Sequence, residues 1–411
     1  MNVFSRIGKA FLALGGDTTL ANPQPWVSEL FGGMPTAAGK SVTPDSSMRV
    51  AAVYACVAVL SQSVAQVPAI LYRRTKEGGA EPATDHPLYN LIQNLSSAEM
   101  TAQERCELDM NHLLLRGSAF RQVVRSGGQV KEINPLHPDY MRMYRAPDGS
   151  LAYDYHPPIG QKQTFSADQV WRTIGMSFNG IQGVSPILYA RESIGLAMAT
   201  EEHGAKLFSN GAQLATALEH PGNMSADAQK RLKDSIDRNY SGSQNAHKTI
   251  VLEEGMKVAK LAMSSVETQF IESRKFQLEE ICRIFRVPPH KIQELSRATF
   301  NNIEHLSMDF VNTSLMPWFV RFEQTMARDL LLPNERNKFF FRFDADSLQR
   351  GDAAGRANVY ASGIANTWLS PNEARRRENY NPRPGGDVYE NPNTSTGATK
   401  PNVPTPDPMK G

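Results

Sequence analysis

Apolar positions run almost unbroken from Val50 to Leu60, until Ser61, Gln62, Ser63, Gln66 and finally Pro68 interrupt them. This stretch is well short of the roughly 18 apolar residues that a membrane span needs, so it predicts a buried helix closed by Pro68. Ala69-Ile70-Leu71-Tyr72 then reads as a strand and Gly78-Gly79 as a turn, and Thr101 to Leu115 is helical again. Phe120 to Val124 and Gln129 to Ile133 flank Gly127-Gly128, a hairpin signal, and short strands broken by Pro and Gly follow to about Trp171. The first half therefore reads as α+β.

The second half carries longer helices with clear end signals. Ser185 is a good N-cap with Pro186 at the first helical position, and the pattern runs to Asn210-Gly211, about 37 Å of helix at 1.5 Å per residue. Ser225 caps a shorter helix, with Ala228, Leu232, Ile236 and Tyr240 on one face and Lys230, Arg231, Lys233 and Arg238 around the rest. Thr249 to Leu252 and Lys257 to Leu261 predict a hairpin around Gly255. Ser264 with Glu267 forms a capping box for a helix carrying Phe270, Ile271, Leu278, Ile281, Cys282 and Phe285, and Val287-Pro288-Pro289 stops it. Asn301 with Glu304 repeats the signal for a last long helix, kinked at Pro317 and continuing through Phe319, Phe322, Met326 and Leu330. Two long helices thus bracket a compact insertion and a third returns.

Phe339 to Phe343 reads as a strand, followed by two short helices, the second with Ser370 as N-cap, Pro371 at N1 and Glu373 at N3. Beyond Asn379 seven prolines and almost no large aliphatic residue predict disorder. At the other end, Val3, Phe4, Ile7, Phe11 and Leu14 fall at helical spacing beside Arg6 and Lys9, an amphipathic arm. A Pro- and Gly-rich linker from Leu20 to Pro44 separates that arm from a body beginning near Asp45.

The 411 residues are too many for one ordinary core, and 40% hydrophobic against 21% charged residues suits a globular chain of two or three domains. Lys and Arg number 44 and Asp and Glu 42, a formal charge of +2 that excludes a histone-like binder and an acidic mimic. Cys56, Cys106 and Cys282 stand far apart with no CxxC or Cys/His cluster, so neither a disulfide framework nor a zinc site is indicated and a reducing compartment is the natural setting.

Catalytic patterns fail on context. Gly242-Ser243-Gln244-Asn245-Ala246-His247-Lys248-Thr249 is close to a phosphate loop, but His247 replaces the second glycine and the order is helix, loop, strand. Glu279 and Glu280 are adjacent on a helix and diverge by about 100°. His203 follows Glu201 and Glu202 without HExxH spacing, and Ser185 is a cap rather than a nucleophile elbow. The basic residues are more informative. Lys230, Arg231, Lys233 and Arg238 form one set with His247 and Lys248 after them; His290, Lys291 and Arg297 lie between two long helices; Arg375-Arg376-Arg377 offset a helix dipole.

Read together, Val53-Tyr54-Ala55-Cys56-Val57, His86-Pro87-Leu88, Leu114-Leu115-Arg116-Gly117-Ser118-Ala119-Phe120 and Gly183-Val184-Ser185-Pro186-Ile187 resemble segments of one family. Phe208-Ser209-Asn210-Gly211-Ala212, Val251-Leu252-Glu253-Glu254-Gly255, Val287-Pro288-Pro289 and Asn372-Glu373-Ala374-Arg375 continue the resemblance. It spans about residues 45 to 386 and is to the portal proteins of tailed double-stranded DNA phages, in the long-tailed branch. Arg297-Ala298-Thr299-Phe300 before Asn301 departs from it, since family members often carry a different aromatic there.

The resemblance implies an α+β fold with a portal architecture: α/β wing (45–185), two-helix stem (186–211 and 264–287), small α/β clip (212–263), tunnel loop (288–300), long kinked helix and second wing part (301–349) and helical crown (350–386), with 1–44 as arm and linker and 387–411 as a disordered tail. It implies a ring of copies, usually a dodecamer, at one capsid vertex of the virion, assembled in the host cytoplasm with major capsid or scaffold protein. The terminase large subunit drives double-stranded DNA through such a ring, and a head–tail adaptor later joins it. It implies no enzyme activity, cofactor, metal or membrane span. His290, Lys291, Arg297 and Asn301 become DNA-facing candidates, and Lys230, Arg231, Lys233, Arg238, His247 and Lys248 candidates for the clip face that meets terminase or adaptor. The competing readings are a nucleic-acid-binding enzyme accessory domain, which predicts a metal-binding carboxylate cluster, and another virion head protein, against which the bracketed insertion argues.

Overall fold

The computed structural model describes residues 36–209, 216–219, 257–260, 264–294, 306–345, 353–378 and 380–391, with single positions between 222 and 234. Two units divide at Asp344 and Ala345. The arm, the phosphate-loop-like stretch and the Asn301/Glu304 cap lie outside the described residues.

In the first unit Thr36, nine residues before the Asp45 boundary predicted from the sequence, is already packed. Thr36 is buried against Gly195, where a Cβ would come within 2.5 Å of its hydroxyl, and the Ala37 amide donates to Glu192. Helix α1 (Pro44–Ser47) starts from a Thr43 capping box, and α2 (Ala51–Ala65) is the predicted apolar helix, with Val53, Cys56, Val57, Leu60 and Val64 buried. β1 (Ala69–Arg74), β2 (Ala80–Pro82) and α3 (Pro87–Gln93) follow, then a short ribbon of β3 (Leu95–Ser97) and β4 (Met100–Thr101). Helix α4 (Ala102–Arg116) is set between a Thr101/Glu104 capping box and Gly117 in the left-handed region.

β5 (Ser118–Ser126) and β6 (Gln129–Leu136) form the predicted hairpin, β7 (Met141–Arg145), β8 (Leu151–Tyr155) and β9 (Gln163–Ser166) a three-stranded meander, and β10 (Val170–Ile174) pairs back on β5. Beyond it the chain crosses its own path: a Cβ on Gly117 would sit 2.2 Å from the Val184 carbonyl oxygen, and one on Gly183 1.8 Å from the Gly117 carbonyl oxygen. Only glycine permits this approach, which brings the Ser185 cap against the end of α4, its hydroxyl donating to Leu115 O.

The single long helix predicted from Pro186 is two: α5 (Pro186–Tyr189) and α6 (Arg191–Ser209), separated at Ala190, whose φ of −94° and ψ of 12° leave the helical region. No residue signal marks that break; Ile187 and Ile194 on either side are both fully buried. β11 (Thr216–Glu219) pairs antiparallel with β12 (Lys257–Lys260), so the second predicted strand is present with Thr216–Glu219 as its described partner, Thr249 to Leu252 lying outside the described residues.

Helix α7 (Ser264–Phe285) ends as the Val287-Pro288-Pro289 stop requires, and Pro289–Ile292 forms a single 3₁₀ turn. The kink expected at Pro317 takes the form of a π-helical segment, Phe310–Leu315, running directly into α8 (Met316–Asp329). Pro317 has no N–H to give to an α-helical ladder, and the widened turn, with Met316 N–H bonding Val311 O, absorbs the mismatch. β13 (Phe339–Phe343) closes the unit by pairing antiparallel with β1, Leu71 opposite Phe341.

The second unit holds α9 (Ala353–Ala365) and α10 (Pro371–Arg377), the latter with the predicted Ser370/Glu373 capping box. Residues 380–391, predicted to be disordered, instead fold back on α10. The Asn372 side chain accepts from Arg383 N–H at 2.8 Å and donates to Arg383 O at 2.9 Å and Asp387 at 3.0 Å, while Tyr389 donates to Glu373 at 2.8 Å. One buried amide does here what large aliphatic residues do elsewhere.

Candidate functional site at the junction of the long helices

The site rests on a buried ionic lattice. Asp109 of α4 accepts from Arg105 Nη1 and forms an ion pair with Arg121 Nε of β5, each at 2.7 Å, and all three side chains are at most 4% exposed. Arg121 lies 4.0 Å and Arg105 4.9 Å from the centre of the Trp171 ring, and Trp171 donates to Thr325 of α8 at 3.1 Å. Burial lowers the Arg121 pKa, and the Asp109 carboxylate opposes that shift. Arg321 extends the grip of α8, its Nη1 donating to the carbonyls of Ile174 and Gly175.

The junction begins where α7 ends. Arg286 sits in the left-handed region at φ 57°, and its carbonyl accepts from Ser314 of the π segment at 2.6 Å. Such a conformation strains a non-glycine residue, and here it turns the chain sharply into Val287-Pro288-Pro289. His290 and Lys291 follow in the 3₁₀ turn. Lys291 Nζ donates to Ser307 Oγ at 3.2 Å and stands 5.5 Å from the centre of the Phe310 ring, which ties the turn to the start of the next helix. Burial and the Lys291 charge lower the His290 pKa, so its imidazole is neutral near pH 7.

Two cavities flank the junction. One, of about 440 Å³, is bordered by Cys282, Arg283, Arg286, His290, Asp309 and Ser314. The other, of about 740 Å³, lies between Met176, Phe178, Tyr189, Phe285, Trp318 and Arg321. Of the DNA-facing candidates, His290 and Lys291 stand together here, and Arg297 and Asn301 lie outside the described residues. Of the clip candidates, Lys230 and Arg231 are exposed at helical positions, Arg231 Nε donating to Asp227 O at 3.3 Å; Lys233, Arg238, His247 and Lys248 lie outside the described residues. Glu279 pairs with Arg283 one turn on, and exposed His203 has its ring 6.0 Å from that of Phe270.

Sequence reasoning missed the Arg105–Asp109–Arg121 lattice, for which the i,i+4 pair in α4 was a visible signal, and the approach of Cys56 to Cys282, for which there was none. Among the described residues no group of three or more His, Cys, Asp or Glu could hold a metal, and no helix is long and apolar enough to cross a membrane.

A family model described as phage portal protein matches residues 51–379. The probable portal protein of Streptomyces phage phiC31 is 34% identical over 366 residues, 86% of this chain and 79% of that protein. The portal protein of Enterobacteria phage HK97 is 27% identical over 352 residues, 85% and 82% of the two chains. The fold is similar to a chain in the neck of a native gene transfer agent particle with C12 symmetry, at a TM-score of 0.57 and 22% identity over 87% of this chain and all of that one. It is also similar to an HK97 family phage portal protein from Corynebacterium diphtheriae, at 0.51 and 16% over 76% and 98%.

Proposed function

The chain belongs to the phage portal protein family, and from that premise we propose that it assembles into a ring at one vertex of a capsid and serves as the passage for double-stranded DNA. The terminase large subunit drives DNA in, the capsid or scaffold protein receives the ring during assembly in the host cytoplasm, and a head–tail adaptor joins it in the virion. Its role is structural and takes no cofactor.

The observation that carries this reading is the exposure of large apolar side chains on the helices assigned to the stem. Ile271 and Phe276 of α7 stand 57% and 56% exposed, and Leu196 of α6 48%. Large apolar side chains left exposed on long helices are satisfied by neighbouring copies in a ring. The C12 symmetry of the gene transfer agent neck supports twelve of them. In this assignment 45–185 and 301–349 form the wing, 186–211 and 264–287 the stem, 212–263 the clip, 288–300 the tunnel loop and 350–386 the crown.

A formal charge of only +2 suits a conduit, because a ring repeats every residue and many cationic positions would trap a polymer with one charge per roughly 1.7 Å. His290, Lys291, Arg297 and Asn301 face DNA from the tunnel loop. Lys230, Arg231, Lys233, Arg238, His247 and Lys248 face terminase or adaptor. Native mass spectrometry tests the assembly: twelve copies of 45.5 kDa give a species near 546 kDa, and a chain that stays monomeric both alone and with its scaffold overturns the reading. Replacing Lys291 and Arg297 together by Ala is expected to change the yield of DNA-filled heads; an unaltered yield removes them from the DNA path.

A further inference from the structure

Cys56 in the middle of α2 and Cys282 in the last turn of α7 are far apart in sequence and adjacent in space. Both side chains are buried, at 0% and 3% exposure, and their thiols share a hydrogen bond. The two helices pack directly, and α2 is narrow at this point, with Ala52 and Ala55 beside Cys56. Cys282 also borders the 440 Å³ cavity together with Arg283, Arg286 and His290, whereas Cys56 does not. One thiol of the pair therefore meets a space that a small solute can enter, and the other waits within reach.

We propose that Cys56 and Cys282 form a modification site, an intramolecular thiol pair that a hydroperoxide entering this cavity converts to a disulfide linking α2 to the end of α7. The hydrogen bond from Cys56 lowers the pKa of the Cys282 thiol, while that bond and burial push Cys56 up. Cys282 is thus the attacking sulfur. Its thiolate takes the terminal oxygen of the hydroperoxide, the O–O bond breaks and alkoxide leaves, or hydroxide when the oxidant is hydrogen peroxide, giving a sulfenic acid. The Cys56 sulfur then attacks the Cys282 sulfur, the S–S bond forms, the S–O bond breaks, and the departing oxygen leaves as water with the Cys56 proton. Overall two thiols and one hydroperoxide give one disulfide, water and the corresponding alcohol, or two waters when the oxidant is hydrogen peroxide. The link fixes the helix end immediately before the left-handed Arg286 and the Lys291 turn. It does not depend on the ring assembly.

Cys106 supplies the internal control. It is buried, its thiol pushed up to about 12 by desolvation, and its charged neighbours are Arg105, Asp109 and Arg121 rather than another thiol. The test treats the full reduced chain with a small excess of hydrogen peroxide, alkylates the remaining thiols after denaturation, and maps peptides by mass spectrometry without reduction. The expected product joins the Cys56 and Cys282 peptides within one chain, leaves Cys106 alkylated, raises the melting temperature by roughly 5 °C or more and reverts with dithiothreitol. In Cys56→Ser the link disappears and Cys282 stops at the sulfenic or sulfinic acid. Retention of all three thiols, a link that includes Cys106 or joins two chains, or an oxyacid at Cys282 of the unaltered chain with no link overturns the proposal. The unaltered chain alone decides it if the variant does not fold.

Discussion

Along α8, Phe319, Phe322 and Met326 are each 1% exposed, covered by β10, β13 and the Trp171 ring, while along α7 Ile271 and Phe276 remain more than half exposed and, among its described side chains, only Ile281, Cys282 and Phe285 at its end are buried. Both helices carry large apolar side chains, but α8 sorts them onto one side far more sharply than α7 does. One completes its packing inside its own chain; the other carries large apolar side chains that its own chain does not cover. A hydrophobic stripe specifies that a surface must be covered, and the surrounding fold decides by whom.

Substitutions can break this contrast, beginning with the largest effect. Phe322→Ala should cost about 3–5 kcal/mol of subunit stability, read from the denaturant midpoint, because it opens a cavity beneath Trp171 and Phe343. Asp109→Ala should cost a similar 3–5 kcal/mol, since it leaves Arg105 and Arg121 buried without their shared carboxylate. A loss below about 1 kcal/mol would show that water reaches those guanidiniums.

Acid should act on the same body. Burial, then His137 and Arg116, lower the His112 pKa from 6.5 to about 3, so the folded chain holds the imidazole neutral while the unfolded chain takes up a proton. Stability is therefore flat above about pH 6.5 and falls as pH drops towards 3, by about 2 kcal/mol at pH 5 from this group. His137, whose pKa is also lowered by burial and by Arg116, adds a loss of the same sign. Midpoints measured from pH 7 to pH 4 should show a shallower decline in His112→Gln. In the second unit, Ser370→Ala removes the cap of α10 and should cost about 1 kcal/mol, seen as earlier exchange of the Glu373 amide.

The smallest effect on the subunit sharpens the contrast most. Ile271→Ser with Phe276→Ser should change subunit stability by less than about 0.5 kcal/mol while depleting the ring species in native mass spectra. An intact ring would move the subunit interface off the exposed face of α7.

Local signals were legible in the sequence wherever one residue type solves a local problem. Thr101 with Glu104, Ser185 before Pro186 and Ser370 with Glu373 mark helix starts; Gly127-Gly128 marks a hairpin; Val287-Pro288-Pro289 marks a stop. The portal resemblance was legible for the same reason, since it is carried by the order of such short segments. The division at Ala190, the π segment before Pro317 and the folding of residues 380–391 were not, because each is settled by what the chain packs against.

The sequence by itself determined the α+β composition, most element boundaries and the family, because periodicity, caps and turn residues act over a few positions. Only the tertiary structure decided that β13 pairs with β1, that Asp109 sits between two arginines and that Cys56 meets Cys282. Those contacts join residues distant in the chain, and no local preference encodes them; they follow from how the apolar faces of separate elements close over one another.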